Sequence, residues 1–521
     1  MHVVVIGAGI GGLTAAARLG AAGHAVTVCE RAAGPGGKMR RVEVGGAAID
    51  AGPTVFTKRH VFDALFEDCG ERLDDHVAIE RLDIVARHVF ADGSSLDLYP
   101  DRARSVAAVA AFAGRRSARE FAAFMDRSQD VLDLLDPIFM SVDRPASPIE
   151  LTMRAGLSGA LRIARLGAHR SVWDVLRSEF SDPRLRHLFA RYTTYVGSSP
   201  YEAPSTLRLI AAVEARGVWR VEGGMSKLAE AVEALARRRG VEMRYGTETR
   251  EILVADGRAC GVALAGGETI RADIVLANCD ADAITGGLFG SSAAKAFDPP
   301  EDPRQRSLSA LGIAVRAEVA GPALAHHTVF FAEDPMLEFT EVFAEARLPS
   351  DPNVYVCAED RGDDGAPPPE GPERLFLIVN APALGEGRRP FHQEEIEACV
   401  NAAFSRLRAS GLTLRWDPDS IRVSTPSAYS DLFPGTGGAL YGRASHGSTA
   451  SFRRPTARSA IPGLYLCGGS AHPGAGVPMA SLSGTLAARA IAMDHASTSG
   501  SRRGDMPGGI ATRSRTTARS G

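Results

Sequence analysis

Two glycine-rich turns, one near each end of the chain, each follow a short apolar strand and lead into a helix. At the N-terminal end, Val3-Val4-Val5-Ile6 runs into Gly7-Ala8-Gly9-Ile10-Gly11-Gly12, a helical stretch from Leu13 to Ala22, and the strand Val26-Thr27-Val28-Cys29-Glu30. Near the other end, Leu464-Tyr465-Leu466-Cys467 leads into Gly468-Gly469, then His472-Pro473-Gly474-Ala475-Gly476-Val477-Pro478 and a final helix. Gly-x-Gly-x-x-Gly between a strand and a helix, with an acid ending the next strand, is a dinucleotide cradle. Gly7 permits the tight turn, Gly9 lets backbone approach a pyrophosphate, and Gly12 lets helix and strand pack together. The helix start offers free N–H groups and a positive dipole end, and Glu30 is spaced to accept ribose hydroxyls. An NAD-only dehydrogenase would not need the second block, so the pair calls for a larger flavin nucleotide and a redox enzyme.

Between the ends, cofactor signals recur. Gly36-Gly37-Lys38-Met39-Arg40 and Ile49-Asp50-Ala51-Gly52-Pro53-Thr54 bring backbone to a ligand again, with Lys38 or Arg40 able to face phosphate oxygens. Residues 76–221 carry a strand-like pair (Ile84 to Phe90, Ser95 to Tyr99) and then long helical patterns. Val221-Glu222-Gly223-Gly224-Met225 returns to the cofactor theme, followed by alternating helix and strand patterns that predict a layered α/β unit. The expected division is a discontinuous Rossmann-like domain from 1–75, 222–295 and 453–496, with a mixed α+β substrate domain from 76–221 and 296–452. The tail 497–521 holds Arg, Ser, Thr and Gly without aromatics and reads as disordered.

Composition narrows the partners. With 521 residues the chain suits two domains, and a net charge of −3 gives no electrostatic case for nucleic acid. Seven scattered cysteines without a Cys-x-x-Cys pair offer no metal site and no disulfide framework, and fit a cytoplasmic protein. The nucleotide strand starts at once, so no signal peptide is expected, and no uncharged apolar run is long enough to span a bilayer.

In order and spacing the glycine blocks resemble the FAD-binding parts of the amine-oxidase and phytoene-desaturase superfamily, and residues 1–495 resemble the bacterial carotenoid desaturases. Val477-Pro478-Met479-Ala480, Gly217-Val218-Trp219-Arg220-Val221 and Arg191-Tyr192-Thr193-Thr194-Tyr195-Val196-Gly197 look like the 1-hydroxycarotenoid 3,4-desaturase branch rather than phytoene desaturases. The resemblance implies FAD, held by Gly7, Gly9, Gly12, Glu30, Arg31, Gly37, Lys38, Gly52, Pro53, Thr54, Thr249, Gly468, Gly469, Gly476, Val477, Pro478 and Met479. It also implies a C3–C4 double bond introduced into a 1-hydroxy or methoxy acyclic carotenoid by hydride transfer to flavin, with oxygen or a quinone as final acceptor. Related amine oxidases place an acid after the last glycine strand, where this chain has Gly469 and Ser470. Phytoene desaturation, flavin-dependent carotenoid isomerisation and a non-enzymatic lipid escort on the same fold stay open as alternatives.

Such a reaction needs an apolar tunnel and few polar groups. His326 and His327 are the polar candidates, able to take a proton or bond the substrate hydroxyl. Tyr192, Tyr195 and Trp219 are candidate tunnel walls or ordinary core. From Leu151 to Trp173 no acid occurs, and Arg154, Arg162, Arg165 and His169 would share one sector of a continuous helix, suiting peripheral contact with an anionic membrane.

Overall fold

A computed structural model describes residues 1–299, 306–362, 369–385 and 389–502. At its centre lies a five-stranded parallel sheet in the order Leu464–Leu466, Ile274–Ala277, His2–Ile6, Ala25–Cys29, Glu242–Arg244. These strands are short, and all but the edge strand Glu242–Arg244 are mostly apolar because both faces are covered, as parallel sheets require. Register fixes the consequence: Ile6 stands opposite both Cys29 and Ala277, and Ala277 opposite Leu466. Gly7, Glu30, Asn278 and Cys467 therefore leave the sheet side by side at its carboxyl edge, where open α/β sheets bind ligands.

The chain's two ends meet there. Helix Ile10–Ala21 packs between helices Met225–Arg238 and Val477–Arg502 over the core formed by Val3, Val5, Leu13, Leu228 and Ala487. The crossing is close enough that a Cβ on Gly484 would lie 2.1 Å from the Gly11 carbonyl oxygen. Thr14 and Ser481 share a hydrogen bond of 2.9 Å across the same contact. On the strand side, a Cβ on Gly12 would fall 2.4 Å from the Gly7 carbonyl.

The second layer is an eight-stranded mixed sheet centred on Ser309–Ala320, Glu373–Ala381, Val354–Ala358 and His327–Phe330, continued by the hairpin Ala86–Val89 and Ser95–Leu98. Helices Arg102–Leu135, Val172–Glu179 and Pro183–Arg191 cover one face through Phe121, Phe124, Phe180 and Phe189, whose rings pack against one another. The C-terminal helix continues to Arg502, through the start of the expected tail; 503–521 lie outside the described residues.

One sequence expectation is corrected. The helix Pro148–Arg165 is not continuous, because Gly156 takes φ 67° and resets the register, and it ends before His169. Arg154 turns back to Glu150 and to the Asp143 carbonyl, and Arg162 to the Asp130 carbonyl. Arg154, Arg162 and His169 are nonetheless exposed, the side chain of Arg165 lies outside the described ones, and beside them Ile149, Met153, Leu157 and Leu161 also face outward, Leu157 94% exposed.

Candidate active site

One cavity of about 1670 Å³ starts at Glu30, Arg31 and Thr249, passes Gly7, Gly9, Gly37 and Gly468–Gly469, turns past Gly476, Val477, Pro478 and Met479, and reaches Gly52, Pro53 and Thr54. Every residue the sequence proposes for the cofactor lines it except Gly12, which sits behind the turn against the strand.

The cavity's first part is built to hold an anionic dinucleotide. Helix Ile10–Ala21 begins at Gly9 with no side-chain cap and no acid in its first turn, so its leading N–H groups and dipole face the cavity. Glu30 accepts the N–H groups of Ala8 at 2.7 Å and Ala32 at 2.8 Å, which fixes its carboxylate at the cavity rim. Farther along that rim, the buried Thr249 hydroxyl has no protein partner. At Gly476 (φ +108°) a Cβ would meet only Met479 Cγ, at 3.8 Å, which leaves bare backbone open to a ligand. The donors, the carboxylate and the open turn fit FAD from adenosine to flavin.

Not all the expected cations face phosphate. Lys38 donates to the Leu440 carbonyl at 2.6 Å and lies over the Phe433 ring; burial lowers its pKa to about 8, opposed by Asp280. Arg31 donates to the carbonyls of Asp431 and Leu432, and Arg40 to Ser424. These cations tie the N-terminal glycine loops to residues 424–440. Where related amine oxidases have an acid, the buried Arg454 donates to the Gly469 carbonyl at 3.1 Å and holds the turn in place.

Beyond Thr54 the lining changes to an apolar arm, Leu135, Phe139, Met140, Leu209, Ile210 and Val213. Leu135, Phe139 and Leu209 pack in turn against Leu151 and Ile163 of the helix that carries the exposed stripe. At the junction stand Tyr195, Tyr355, Arg191 and Glu214. Tyr192 and Trp219 do not line the cavity: Tyr192 is core, bonded to Glu214, and Trp219 packs on Phe56.

Neither His326 nor His327 lines the cavity, so direct contact with substrate is not what the fold provides. His327 reaches it through Tyr355, whose hydroxyl lies 2.6 Å from His327 Nδ1 and 2.7 Å from Thr54 Oγ1. Both imidazoles are buried in the sheet, and burial lowers their pKa, that of His326 to about 4. The fold adds Cys357 to the pair, the three ligand atoms lying within 4.8 Å of one another. Its thiol is pushed up by burial and stays protonated. Sequence reading missed Tyr355, Glu214 and the cavity role of Arg191, because each comes from a different, distant segment.

A parallel sheet with a dinucleotide cradle at its carboxyl edge, opening into an apolar chamber under a second sheet, defines a flavin-dependent oxidoreductase of a hydrophobic substrate. The chain belongs to the flavin containing amine oxidoreductase family, whose sequence pattern matches residues 10–492. It is 47% identical to a hydroxyneurosporene desaturase of Rubrivivax gelatinosus over 99% of this chain and 98% of that protein. A hydroxyneurosporene desaturase of Rhodobacter capsulatus is 42% identical over 95% and 98% respectively. Among solved structures, an oxidoreductase from Methanosarcina mazei has the same fold, with a TM-score of 0.58 at 19% identity over 93% of this chain and 99% of that one.

Proposed function

We propose that this enzyme introduces a C3–C4 double bond into acyclic carotenoids carrying a 1-hydroxy or 1-methoxy end. The observation that carries the reading is the continuity of the cavity: a dinucleotide cradle at one end runs without interruption into an arm walled by Leu135, Phe139, Leu209 and Ile210. Similarity to hydroxyneurosporene desaturases over nearly the whole chain supports the substrate class.

FAD, when bound, would supply the hydride acceptor, with oxygen or a quinone as the final electron acceptor. The protein's own work is positioning and exclusion of water. The apolar arm holds the polyene in one line, and the Gly52–Thr54 loop and Tyr355 face the bond to be oxidised. Two hydrogens leave adjacent carbons, one as hydride and one as proton. Tyr355 takes up the proton as it gives its own to His327 Nδ1, and burial makes His327 so weak a base that the proton returns through Tyr355 to water once the product has left. In this reading Tyr355 is the catalytic residue and His327 positions it.

No described helix is long and apolar enough to cross a membrane. We assign peripheral membrane contact to the stripe Ile149, Met153, Leu157 and Leu161, which would dip into acyl chains above the apolar arm. A substrate that dissolves only in lipid could then enter without crossing water.

The test is to incubate the FAD-loaded enzyme with lipid-dispersed 1-hydroxyneurosporene and follow the polyene bands. A red shift with one added double bond is expected. Conversion of phytoene alone would move the enzyme to the sister reaction, and inertness toward both with flavin bound would overturn the proposal.

A further inference from the structure

Arg191 is a cation in a place that should repel one. It is 8% exposed, yet it lines the cavity just where the cradle gives way to the apolar arm. Among the described residues no ion pair within 4 Å is formed by it, and its buried Nε has no hydrogen-bond partner. Its guanidinium carbon lies 5.5 Å from the ring centre of Tyr355 and 5.9 Å from that of Tyr195. Aromatic faces return only part of the solvation a buried guanidinium loses, so a donor left unfilled here is costly to retain.

Glu214 stands in the same wall. It is buried, lines the cavity, and accepts the hydroxyl of Tyr192, with Tyr195 and Arg191 close by. One tyrosine leaves a carboxyl group with further acceptor sites, since each oxygen offers two lone pairs. One short polar cluster thus combines an unfilled donor and spare acceptors. It is the thickness of one ring away from the cofactor loop, because Tyr355 bonds Thr54 on one side and faces Arg191 on the other.

We propose that Arg191 and Glu214 form the subsite that reads the oxygen at the substrate's tertiary end. An Arg191 N–H donates to that oxygen, and Glu214 accepts from its O–H when it is an alcohol. An alcohol uses both contacts; a methyl ether keeps only the first. The position suits the chemistry. In a 1-oxygenated chain the oxygen is three bonds from C3, so a group that holds it must stand beside the reacting bond, and this cluster does. The inference rests on the function proposed above and adds to it the residues that set the substrate.

The test compares kcat/KM of the FAD-loaded wild type, Arg191→Met, Arg191→Lys and Glu214→Gln on three carotenoids that differ at one end: 1-hydroxyneurosporene, its methyl ether and neurosporene. A lost hydrogen bond to a charged donor corresponds to about a 10- to 100-fold change. Arg191→Met should reduce the preference for either oxygenated substrate over neurosporene by that factor, and Arg191→Lys should retain part of the preference. Glu214→Gln should reduce the preference for alcohol over ether and leave that for ether over neurosporene. Flavin content and absorption, read on the same samples, report folding, and the glutamine variant keeps shape should the methionine variant not fold. Unchanged preferences in variants that hold flavin would overturn the subsite. So would an equal loss on all three carotenoids with a shifted flavin spectrum, which would assign Arg191 to the cofactor. A wild type inert toward all three would instead overturn the proposed function, and the subsite with it.

Discussion

The Tyr355 hydroxyl lies 2.6 Å from Nδ1 of His327, and it is the only link between that buried imidazole and the cavity among the described contacts. With the ring proton on Nε2, Nδ1 accepts from Tyr355, which leaves the Tyr355 oxygen free to accept from Thr54. Tyr355→Phe removes the hydroxyl and keeps the ring that Arg191 faces. We expect kcat to fall about 100-fold, the scale of general acid–base catalysis, with FAD content unchanged. His327→Ala should lower kcat less, because Tyr355 remains, and His326→Ala least, because its Nδ1 is engaged by the Arg361 carbonyl. Single-turnover bleaching of the flavin measures all three.

A second prediction concerns the cofactor cradle. Gly12→Ala places a methyl group about 2.4 Å from the Gly7 carbonyl, which is backbone and cannot swing aside. Helix Ile10–Ala21 must then lift from the strand and carry its N–H groups away from the pyrophosphate position. The expected outcome is a colourless protein of reduced melting temperature. Glu30→Gln is milder: it keeps shape and an acceptor but loses charge, and FAD affinity should fall about 10-fold, the worth of roughly one charged hydrogen bond. Fluorescence titration with FAD separates the two.

The exposed stripe gives a third. Leu157→Asp with Leu161→Asp replaces two outward side chains, 94% and 65% exposed, that support no described core cluster. Thermal stability should change little, since surface substitutions away from packed features usually do. Flotation with anionic liposomes should drop sharply, and activity on lipid-dispersed substrate with it, while activity on detergent-solubilised substrate is retained. Equal flotation of variant and wild type would remove this helix from the membrane face.

Much of this site was legible because its demands are local. The turn Gly7–Gly12 and the block Gly474–Met479 need particular backbone freedom at particular positions, and such needs are written in adjacent residues. Arg191, Glu214 and Tyr355 are different. Each looks like an ordinary helix or strand residue, and only the packing of Pro183–Arg191, Leu209–Ala215 and Val354–Ala358 around one cavity brings them together. The paired histidines were visible but misleading in position: a strand alternates its faces, and what separates His327 from the cavity is Tyr355, a residue 28 positions away. The single sector read for the arginines of the helix Pro148–Arg165 was lost for the opposite reason, since reading a continuous helix ignores the left-handed turn at Gly156.

The last prediction follows from Glu359, a carboxyl that the fold buries where the end of strand Val354–Ala358 meets the hairpin of Arg41–Val44 and Ala47–Asp50. It accepts the Asp50 N–H at 2.7 Å, and Arg374 approaches to 3.4 Å. Burial, with the nearby charge of Asp50, raises its pKa from 4.5 to about 8, against the pull of Arg374. The folded protein therefore keeps a proton that the unfolded chain releases at about pH 4.5. Between these values the native state binds more protons than the unfolded state, so stability declines as pH rises through that window and levels off above about 8. Glu359→Gln keeps the acceptor for Asp50 and removes the titration. The variant should match wild type near pH 4.5, gain on it steadily up to about pH 8, and hold a constant advantage beyond, read as a melting-temperature difference that grows with pH. A difference independent of pH would mean that Glu359 is solvated and ionised in the native protein, and that its contact with the hairpin is wetter than its packing indicates.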